Sequence, residues 1–510
     1  MSARSLSIQH ADPPSRPTIL AKGDLHDEGS VDPVYQAKAR VLNQALQEIG
    51  MGKYQWGLFV AAGFGWFSDS AGTLMGGLIL APTVNEFHYN APLLPLAMNI
   101  GLLVGAIIWS FGCDIWGRKW SYSLTLFIGS IFGIAMGGSM SFAVLASLTV
   151  VSNVGVGGNI PVDSAVFLDF VPNSHQYLLT VLCVWWNSGV LLGSLIAWPL
   201  IANFSCNASS PCPRSDNMGW RYFVVTLGSF MLLLALLRLL VFPVHESPRT
   251  LLGRGHDEAA VAVVREIARY NGVETSITIE DLKEAARSAE RKPCAHKWRV
   301  LNESSPWTAK HVRALFATKQ MAWSTSLLIC IWGLIGLAST LYSNFLPYLL
   351  ATRGAKFEDA TYYTTYRNQV ILSVVGIPSA FVAGWTVDLP FLGRRGTLAA
   401  SAGLTGAFLF ASTTARSSPA LLGWNCGYVF FSNIMYGVQY AVSPEVFPAK
   451  HRGTGNGLTA TASAVFGAPI IAMYANLNTA VPVYVAGALI IGAGGLALLL
   501  PFEPQGKASI

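Results

Sequence analysis

The stretch Gly112-Cys113-Asp114-Ile115-Trp116-Gly117-Arg118-Lys119 ends one long apolar run of this sequence. A related stretch, Val387-Asp388-Leu389-Pro390-Phe391-Leu392-Gly393-Arg394-Arg395, ends another apolar run in the second half of the chain. Both stretches have an acidic residue followed by a glycine and two basic residues, and Arg118 and Arg394 lie 276 residues apart. This recurrence is the first sign that the chain repeats itself.

A second pair of motifs keeps the same spacing. Asp169-Phe170-Val171-Pro172 and Glu445-Val446-Phe447-Pro448 place their prolines 276 residues apart. Each motif follows the apolar run with the same ordinal number in its half. One offset shared by two different motifs predicts a duplicated structural unit.

Apolar runs of membrane-spanning length occur in two groups of six. The hydrocarbon core of a bilayer requires about 20 apolar residues per helix. The expected spans are 57–80, 91–112, 121–138, 142–168, 176–202, 221–243, 320–350, 365–387, 397–413, 419–443, 455–476 and 481–500. Charged residues are only 12% of the chain, against about 25% in soluble proteins. The predicted fold class is an all-α membrane protein with twelve transmembrane helices in two pseudo-symmetric six-helix bundles.

The remaining segments lie around and between these bundles. We expect the following domains: a disordered cytosolic tail at 1–55 with one amphipathic helix over Val34–Gly50, bundles at 56–243 and 320–501, a cytosolic linker with surface helices at 244–319, and a short cytosolic tail at 502–510. Basic residues cluster in the connections after even-numbered spans, so the positive-inside rule places both termini in the cytosol. The membrane is expected to be the plasma membrane.

The connection between spans five and six has the features of an outer loop. Cys206 and Cys212 share it, and a disulfide between them is the expectation, with two separate thiols as the alternative. Asn207 begins an Asn-Ala-Ser sequon and is a candidate glycosylation site. The cysteines have no metal-site spacing, and the few basic clusters between apolar runs are unlike a nucleic-acid-binding surface.

Several motifs together resemble the major facilitator superfamily. Asp114–Lys119 resembles its signature loop, and Pro243–Arg249 and Pro444–Gly453 resemble the motifs that sugar-porter-like members carry after spans six and ten. Gly63–Asp69 and Gly155–Pro161 are similar to the branch that contains synaptic-vesicle-like transporters and proton-coupled phosphate carriers. The resemblance implies the major facilitator fold and transport of a small solute by alternating access.

Three departures from the family's motifs narrow the range of expected substrates. The glutamine-rich pattern of hexose porters is absent from Trp332–Tyr342, which disfavours a glucose carrier. Gly189–Ser194 lacks the complete span-five motif of proton-driven drug exporters, and this weakens an efflux interpretation. Asn159 stands where phosphate carriers place an acid, so phosphate is also disfavoured.

Two acids inside the predicted spans are candidates for proton coupling. Asp69 lies near the middle of span one among several glycines. A charged group at the centre of a bilayer costs about 2.5–3.5 kcal/mol on insertion scales, and burial disfavours the charged form of a carboxyl group, so Asp69 is the candidate proton carrier. Hydrogen bonding to neighbouring helices is the alternative. Asp163 in span four is a second candidate, or it pairs with a base as scaffold.

Polar and aromatic residues in several spans are candidates for a substrate cavity, where they would hydrogen-bond to and stack on a small organic molecule. The alternative for each is helix packing. The candidates are Asn159, Trp186, Asn187, Trp332, Tyr342, Asn344, Arg367, Asn433, Tyr436 and Tyr440. Arg367 is expected at the outer mouth, where it attracts an anion or contacts a lipid headgroup.

Charged residues at the ends of the spans are candidates for a conformational gate. Asp169 and Glu445 are expected to pair with basic loop residues that include Arg118 and Arg394, and Arg238 is expected to snorkel or to pair with Asp169 or Glu246. The gate candidates are Asp114, Gly117, Arg118, Lys119, Asp169, Glu246, Arg249, Asp388, Arg394, Arg395, Glu445 and Arg452.

The leading functional prediction is proton-coupled import of a small organic solute, an organic anion or a sugar-like metabolite. Proton-driven efflux of a metabolite or drug is the first alternative, and a membrane sensor that does not transport is the second. The chain has no nucleophile–base constellation, so it is not expected to be an enzyme. No cofactor is expected, and a monomer is the predicted assembly state.

Overall fold

The chain is helical throughout the part that the structure, a computed structural model, describes. That part comprises residues 32–115, 117–206, 213–242, 244–290, 312–313, 315–342, 362–447, 452–473 and 481–501. Within these ranges, helices are joined by turns and no strand occurs. An all-helical chain fits its composition, because only a helix or a closed barrel satisfies every backbone hydrogen bond in lipid.

The helices form two groups made mostly of long helices, with one set of shorter helices between them in the sequence. The first group is α1 Pro33–Ile49, α2 Lys53–Phe87, α3 Leu93–Ile115, α4 Arg118–Met136, α5 Phe142–Phe170, α6 Leu178–Val181, α7 Cys183–Phe204 and α8 Gly219–Val241. The short helices are α9 Pro248–Gly253, α10 Asp257–Asn271 and α11 Ile279–Glu290. The second group is α12 Lys319–Leu341, α13 Tyr362–Asp388, α14 Gly393–Ser412, α15 Ser418–Val446, α16 Arg452–Met473 and α17 Val481–Ala497. By length and composition alone, six of the described helices are able to cross a bilayer, namely α3, α5, α7, α8, α12 and α13.

The packing of the first half is repeated in the second. In the first half α3 and α4 pack on α5, α4 packs on α8, and α2 packs on α7 and α8. In the second half the equivalent contacts join α13 and α14 to α15, α14 to α17, and α12 to α16 and α17. The halves meet mainly where α3 packs on α16 and α7 packs on α13. The duplication predicted from the 276-residue offset is therefore present in the arrangement of the helices.

The motif that revealed the duplication has a glycine with positive φ in each half. Gly117 precedes α4 with φ of 111°, and Gly393 begins α14 with φ of 56°. Positive φ is a conformation that glycine adopts at low cost. At Gly117 a side chain is also excluded by space, because a Cβ atom there would lie 2.7 Å from Glu246 Oε2.

The segment before the first long helix is folded, unlike the predicted tail. The amphipathic helix predicted over Val34–Gly50 corresponds to α1 at Pro33–Ile49, whereas the disorder predicted around it does not reach residues 53–55, where α2 begins. Tyr35, Leu42 and Ile49 lie on one face of α1 and share an apolar core with α9, α10 and α11, which explains why the segment is ordered. We call the end of the bundle where α1 and α9–α11 lie the linker end. Residues 1–31 and 502–510, both predicted tails, are outside the described residues.

Candidate functional site

A cavity of about 350 Å³ lies at the centre of the molecule between the two halves. Helices α2, α3, α5 and α7 of the first half and α12, α13, α15 and α16 of the second half line it. These helices bring together residues that are far apart in the sequence. The predicted candidates found in the lining are Asp69, Trp186, Asn187, Trp332, Asn433, Tyr436 and Tyr440.

Asp69 contributes the single formally charged side chain among the described residues that line this cavity. It is 7% exposed and lies in the middle of α2. Thr73, one turn further on, donates its hydroxyl to the Asp69 carbonyl oxygen at 2.9 Å. Because the other lining groups are neutral, the charge of the cavity is set by the protonation state of Asp69.

Aromatic rings form one wall of the cavity around Tyr440. The centroid of the Tyr440 ring lies 4.8 Å from that of Trp332 and 6.2 Å from that of Trp186. Trp332 is held by a hydrogen bond from its indole nitrogen to Ser443 Oγ at 2.6 Å. Trp66, which belongs to the first half, packs on the same ring, and the centroids of the Trp66 and Tyr440 rings are 5.5 Å apart. Such a wall offers flat surfaces for stacking against a ring-containing solute.

Amide and hydroxyl groups line the remainder of the cavity. Asn187 donates its side-chain amide to the Gly376 carbonyl oxygen at 2.7 Å, a bond that links α7 to α13 across the two halves. Gln369 and Asn456 have side-chain oxygen atoms without a hydrogen-bond partner among the described residues. These two oxygens are available to a solute that donates hydrogen bonds.

The sequence did not identify several polar members of the lining. They are Ser70, Thr73, Asn99, Gln369, Ser443 and Asn456. Helical spacing from predicted members would have found two of them, since Thr73 follows Asp69 by four residues and Ser443 follows Tyr440 by three. The others carry no comparable signal within their apolar runs.

Asp163 lies outside the cavity lining, paired with Arg238. The carboxylate of Asp163 accepts a hydrogen bond from the Arg238 guanidinium, and both side chains are at most 1% exposed. Arg238 also lies over the ring of Tyr122. The predicted pairing of Arg238 with Asp169 or Glu246 is therefore wrong, because Asp163 lies opposite Arg238 within the first half. Of the two interpretations of Asp163, the geometry matches the scaffold pair.

Three further cavity candidates are placed elsewhere. Asn159 is buried in α5, and neither atom of its amide has a hydrogen-bond partner among the described residues. Tyr342 packs inside the second half and donates its hydroxyl to Asn425 Oδ1 at 2.5 Å. Arg367 is exposed at the start of α13. None of these three side chains is among the residues that line the cavity. The exposed position of Arg367 is compatible with its expected place at a mouth of the molecule, and Asn344 lies outside the described residues.

Asp169 is the centre of a buried charge cluster at the linker end. Its carboxylate contacts the Arg118 guanidinium and accepts a hydrogen bond from Ser247. Arg452 Nη1 of the second half lies 2.9 Å from Asp169 Oδ1, and Arg249 Nη1 lies 3.9 Å from the same oxygen. The bond from Arg452 joins the two halves directly.

The second half repeats one of these pairs. Arg394 donates from Nε and Nη2 to the Glu445 carboxylate at 2.8 and 3.0 Å, and both side chains are at most 3% exposed. Arg118 with Asp169 and Arg394 with Glu445 are thus equivalent pairs, related by the 276-residue offset. A second donor group on Arg452, its Nε, reaches the Pro444 carbonyl oxygen at 2.7 Å.

The remaining gate candidates surround these pairs. Glu246 accepts hydrogen bonds from the backbone nitrogens of Arg118 and Lys119 at 3.0 and 3.5 Å. Arg395 donates to the Leu498 carbonyl oxygen, and Asp388 is exposed at the end of α13. The side chain of Asp114 is not in the described part of the chain.

The loop between α7 and α8 is described only in part. Cys206 is disulfide-bonded. Its predicted partner Cys212 and the predicted glycosylation site Asn207 lie outside the described residues.

Comparison with known proteins identifies the family. Residues 56–472 match the family model of the major facilitator superfamily. The chain is 65% identical over 492 residues to a protein from Ceriporiopsis subvermispora named MFS siderochrome iron transporter 1. The aligned region covers 96% of this chain and 94% of the relative. Over 230 residues it is 27% identical to synaptic vesicle glycoprotein 2A of Rattus norvegicus, covering 44% of this chain and 30% of that protein.

A solved structure shows the same fold. The proton:xylose symporter XylE of E. coli, bound to 6-bromo-6-deoxy-D-glucose, superposes with a TM-score of 0.67. The match has 18% sequence identity and covers 89% of this chain and 98% of the symporter. The prediction of an all-α membrane protein with two six-helix bundles is confirmed, as is the expectation that the chain is not an enzyme. On the family model, the relatives and this fold, the chain belongs to the major facilitator superfamily.

Proposed function

We propose that this transporter imports a small organic solute together with a proton, and that Asp69 carries the proton. In the outward-facing state Asp69 is protonated and the solute binds beside it, and in the inward-facing state both are released. Transport then follows the proton gradient, because neither species can cross without the change of state.

The position of Asp69 is the observation that carries this proposal. A carboxylate that is 7% exposed, with neutral polar and aromatic groups around the cavity it lines, is costly to keep charged. Binding a proton removes that cost. Asp69 also lies between the two halves, where a change of state alters its access to each side of the membrane.

The lining favours a ring-containing solute with hydrogen-bonding groups. Trp332, Trp186 and Tyr440 offer stacking surfaces, and Asn433 and Gln369 offer amide groups. An organic anion would need a counter-charge, and the described lining has no basic side chain for it. We therefore favour an uncharged or sugar-like solute over an organic anion.

The finer assignments of location and assembly belong to the same proposal. We infer a monomer in the plasma membrane with both termini in the cytosol. This orientation is supported by four basic residues at the linker end, Arg118, Lys119, Arg394 and Arg395. Glycosylation at Asn207 would then be on the outer surface.

Transport by reconstituted protein tests the role of Asp69. A screen by competition first identifies a transported solute, and uptake is then measured with a pH gradient of one unit, acidic outside. For an uncharged solute with one proton, this gradient supports about tenfold accumulation, since one pH unit is about 1.36 kcal/mol. We expect Asp69→Asn to lose the accumulation while it still exchanges internal for external solute.

Glu258→Gln is the matched control, because Glu258 is an exposed carboxylate of the linker helices. A measurement without solute completes the test: pH-dependent infrared spectra of the protein in lipid report protonated carboxyl groups directly. Asp69→Asn should lack one such titrating band that wild type and Glu258→Gln share. Accumulation that persists in Asp69→Asn, or a spectrum of Asp69→Asn that keeps every titrating band shared by wild type and Glu258→Gln, would refute the proposal.

The relative from Ceriporiopsis subvermispora favours a second candidate solute. It is named a siderochrome iron transporter and is 65% identical to this chain. An iron–siderochrome complex is itself an organic solute, so it fits the same mechanism of transport. Uptake of radioactive iron supplied as ferrichrome, compared with ferric citrate at equal iron concentration, decides this case. Equal uptake from both sources, or none from ferrichrome, removes the candidate.

A further inference from the structure

The N-terminal helix α1 is built into the linker end of the transporter. One face of α1 is buried, with Tyr35, Ala39, Leu42 and Ile49 each at most 6% exposed. This face packs on α9, α10 and α11 and shares their apolar core. Lys38 Nζ also lies 2.5 Å from Asp257 Oδ2 at the start of α10. The helix is therefore held by both apolar packing and an ion pair.

Polar groups of α1 reach the charge cluster that joins the two halves. Asn43, which is 8% exposed, accepts a hydrogen bond from Arg249 Nη2 at 2.7 Å. Arg249 in turn lies 3.9 Å from Asp169, which binds Arg452 of the second half. A continuous series of contacts thus runs from α1 to the second half of the molecule.

Tyr35 of α1 is buried beside the same connection. Its side chain is 4% exposed. Burial raises the pKa of the Tyr35 hydroxyl, and the positive charges of Arg249, Arg452 and Arg118 act in the opposite direction. These three arginines come from the linker, the second half and the first half, so Tyr35 lies within electrostatic reach of all three.

From these contacts we propose that α1 is a latch that stabilises the state closed at the linker end. Opening at that end requires the two halves to separate and the contact between Arg452 and Asp169 to break. While Asn43 holds Arg249 beside the cluster, this separation is opposed. Release of α1 is then a step of the transport cycle, and any change that alters this release alters the rate of transport.

The thiol of Cys183 reports opening at the linker end without any added solute. Cys183 begins α7, is 2% exposed, and packs against Gly437 of α15 in the other half. Separation of the halves exposes this thiol. Cys426, half-buried against the apolar core of the second half near the start of α15, is the internal control, because that core does not open when the halves separate.

The experiment measures alkylation of each cysteine by N-ethylmaleimide in the full-length protein, resolved by peptide mass spectrometry. Asn43→Ala removes a hydrogen bond to a charged group, so we expect Cys183 to react about tenfold faster. Asn43→Asp places a carboxylate opposite Arg249 and strengthens the bond, so Cys183 should react more slowly than in wild type. Gln44→Ala is the matched control, because Gln44 lies on the exposed face of α1.

The proposal requires Cys426 to react equally in all four proteins. Equal Cys183 rates in wild type and Asn43→Ala would show that α1 is a passive part of the first half. A parallel rise at Cys426 would show general loosening of the fold instead of opening. Faster alkylation of Cys183 in Asn43→Asp would also overturn the proposal, and a variant that folds poorly cannot produce the slower rate expected there.

Discussion

At the scale of single residues, two buried acids of the first half have opposite surroundings. Asp69 faces the cavity, whereas Asp163 is paired with Arg238. The two sites are adjacent, because Gly65 lies one turn before Asp69 and a methyl group on Gly65 would overlap the Asp163 carboxylate. The pair supplies a charge-neutral support for the part of α2 that carries Asp69.

This difference predicts different outcomes of mutation. Removing one partner of a buried ion pair leaves an uncompensated charge and costs about 3–5 kcal/mol, whereas replacing both can be nearly neutral. We therefore expect Asp163→Asn and Arg238→Met each to lower the Tm strongly, and the double variant to recover most of the loss. Thermal unfolding of the purified proteins in detergent measures this cycle. A double variant whose loss equals the sum of the single losses would contradict the pairing.

The residue scale also shows what a sequence cannot decide. Asn159 and Asn187 are both amides inside predicted spans, yet Asn187 lines the cavity and Asn159 does not. Residue type and span membership are the same for both. The difference arises from the rotation of each helix about its axis, which packing against neighbours fixes, as where Trp109 packs against Gly158, the residue before Asn159.

At the scale of the helices, apolar length was an accurate guide to position. The run expected at 91–112 corresponds to α3 at Leu93–Ile115, and the run at 142–168 to α5 at Phe142–Phe170. Apolar length predicts the ends of a helix less accurately where the helix continues beyond its apolar run. The first span was expected at 57–80, but α2 continues to Phe87, since a helix extends beyond the bilayer without any apolar signal.

The positive-φ glycines at the starts of α4 and α14 give a prediction at this scale. Gly117 has φ of 111° and ψ of 153°, a region that is essentially restricted to glycine, where other residues cost about 1–3 kcal/mol. Gly393 has φ of 56°, which costs other residues about 1–2 kcal/mol. Gly403 lies inside α14 with open space around it.

We expect Gly117→Ala to destabilise the protein most, because Glu246 also occupies the space of the new methyl group. Gly393→Ala should destabilise it less. Gly403→Ala should be neutral or stabilising by up to about 1 kcal/mol, since alanine favours a helix interior. Chemical or thermal unfolding of the three variants gives this order. Equal stability of Gly117→Ala and Gly403→Ala would show that the turn does not require glycine.

At the scale of the whole molecule, the two halves are held together at both ends of the cavity. At the linker end Arg452 binds Asp169 at 2.9 Å. Toward the opposite end, Tyr366 of α13 donates its hydroxyl to the Leu78 carbonyl oxygen of α2 at 2.7 Å. The first contact opposes opening at the linker end, and the second opposes opening at the other end. The balance between such contacts sets the populations of the two states.

Loss of the first contact should therefore shift the equilibrium toward the state open at the linker end. Loss of the second contact should shift it toward the state open at the opposite end. Arg452→Ala weakens the linker end, so Cys183 should react with N-ethylmaleimide more than about tenfold faster, as expected for loss of a charged hydrogen bond. Tyr366→Phe weakens the opposite end and favours the state in which Cys183 is buried. One neutral hydrogen bond is worth about 0.5–1.5 kcal/mol, so the rate should fall roughly two- to tenfold. Cys426 should react equally in both variants. Shifts of Cys183 in the same direction would mean that the two contacts stabilise the fold and do not compete, and the reciprocal closure of the two ends would then have no support.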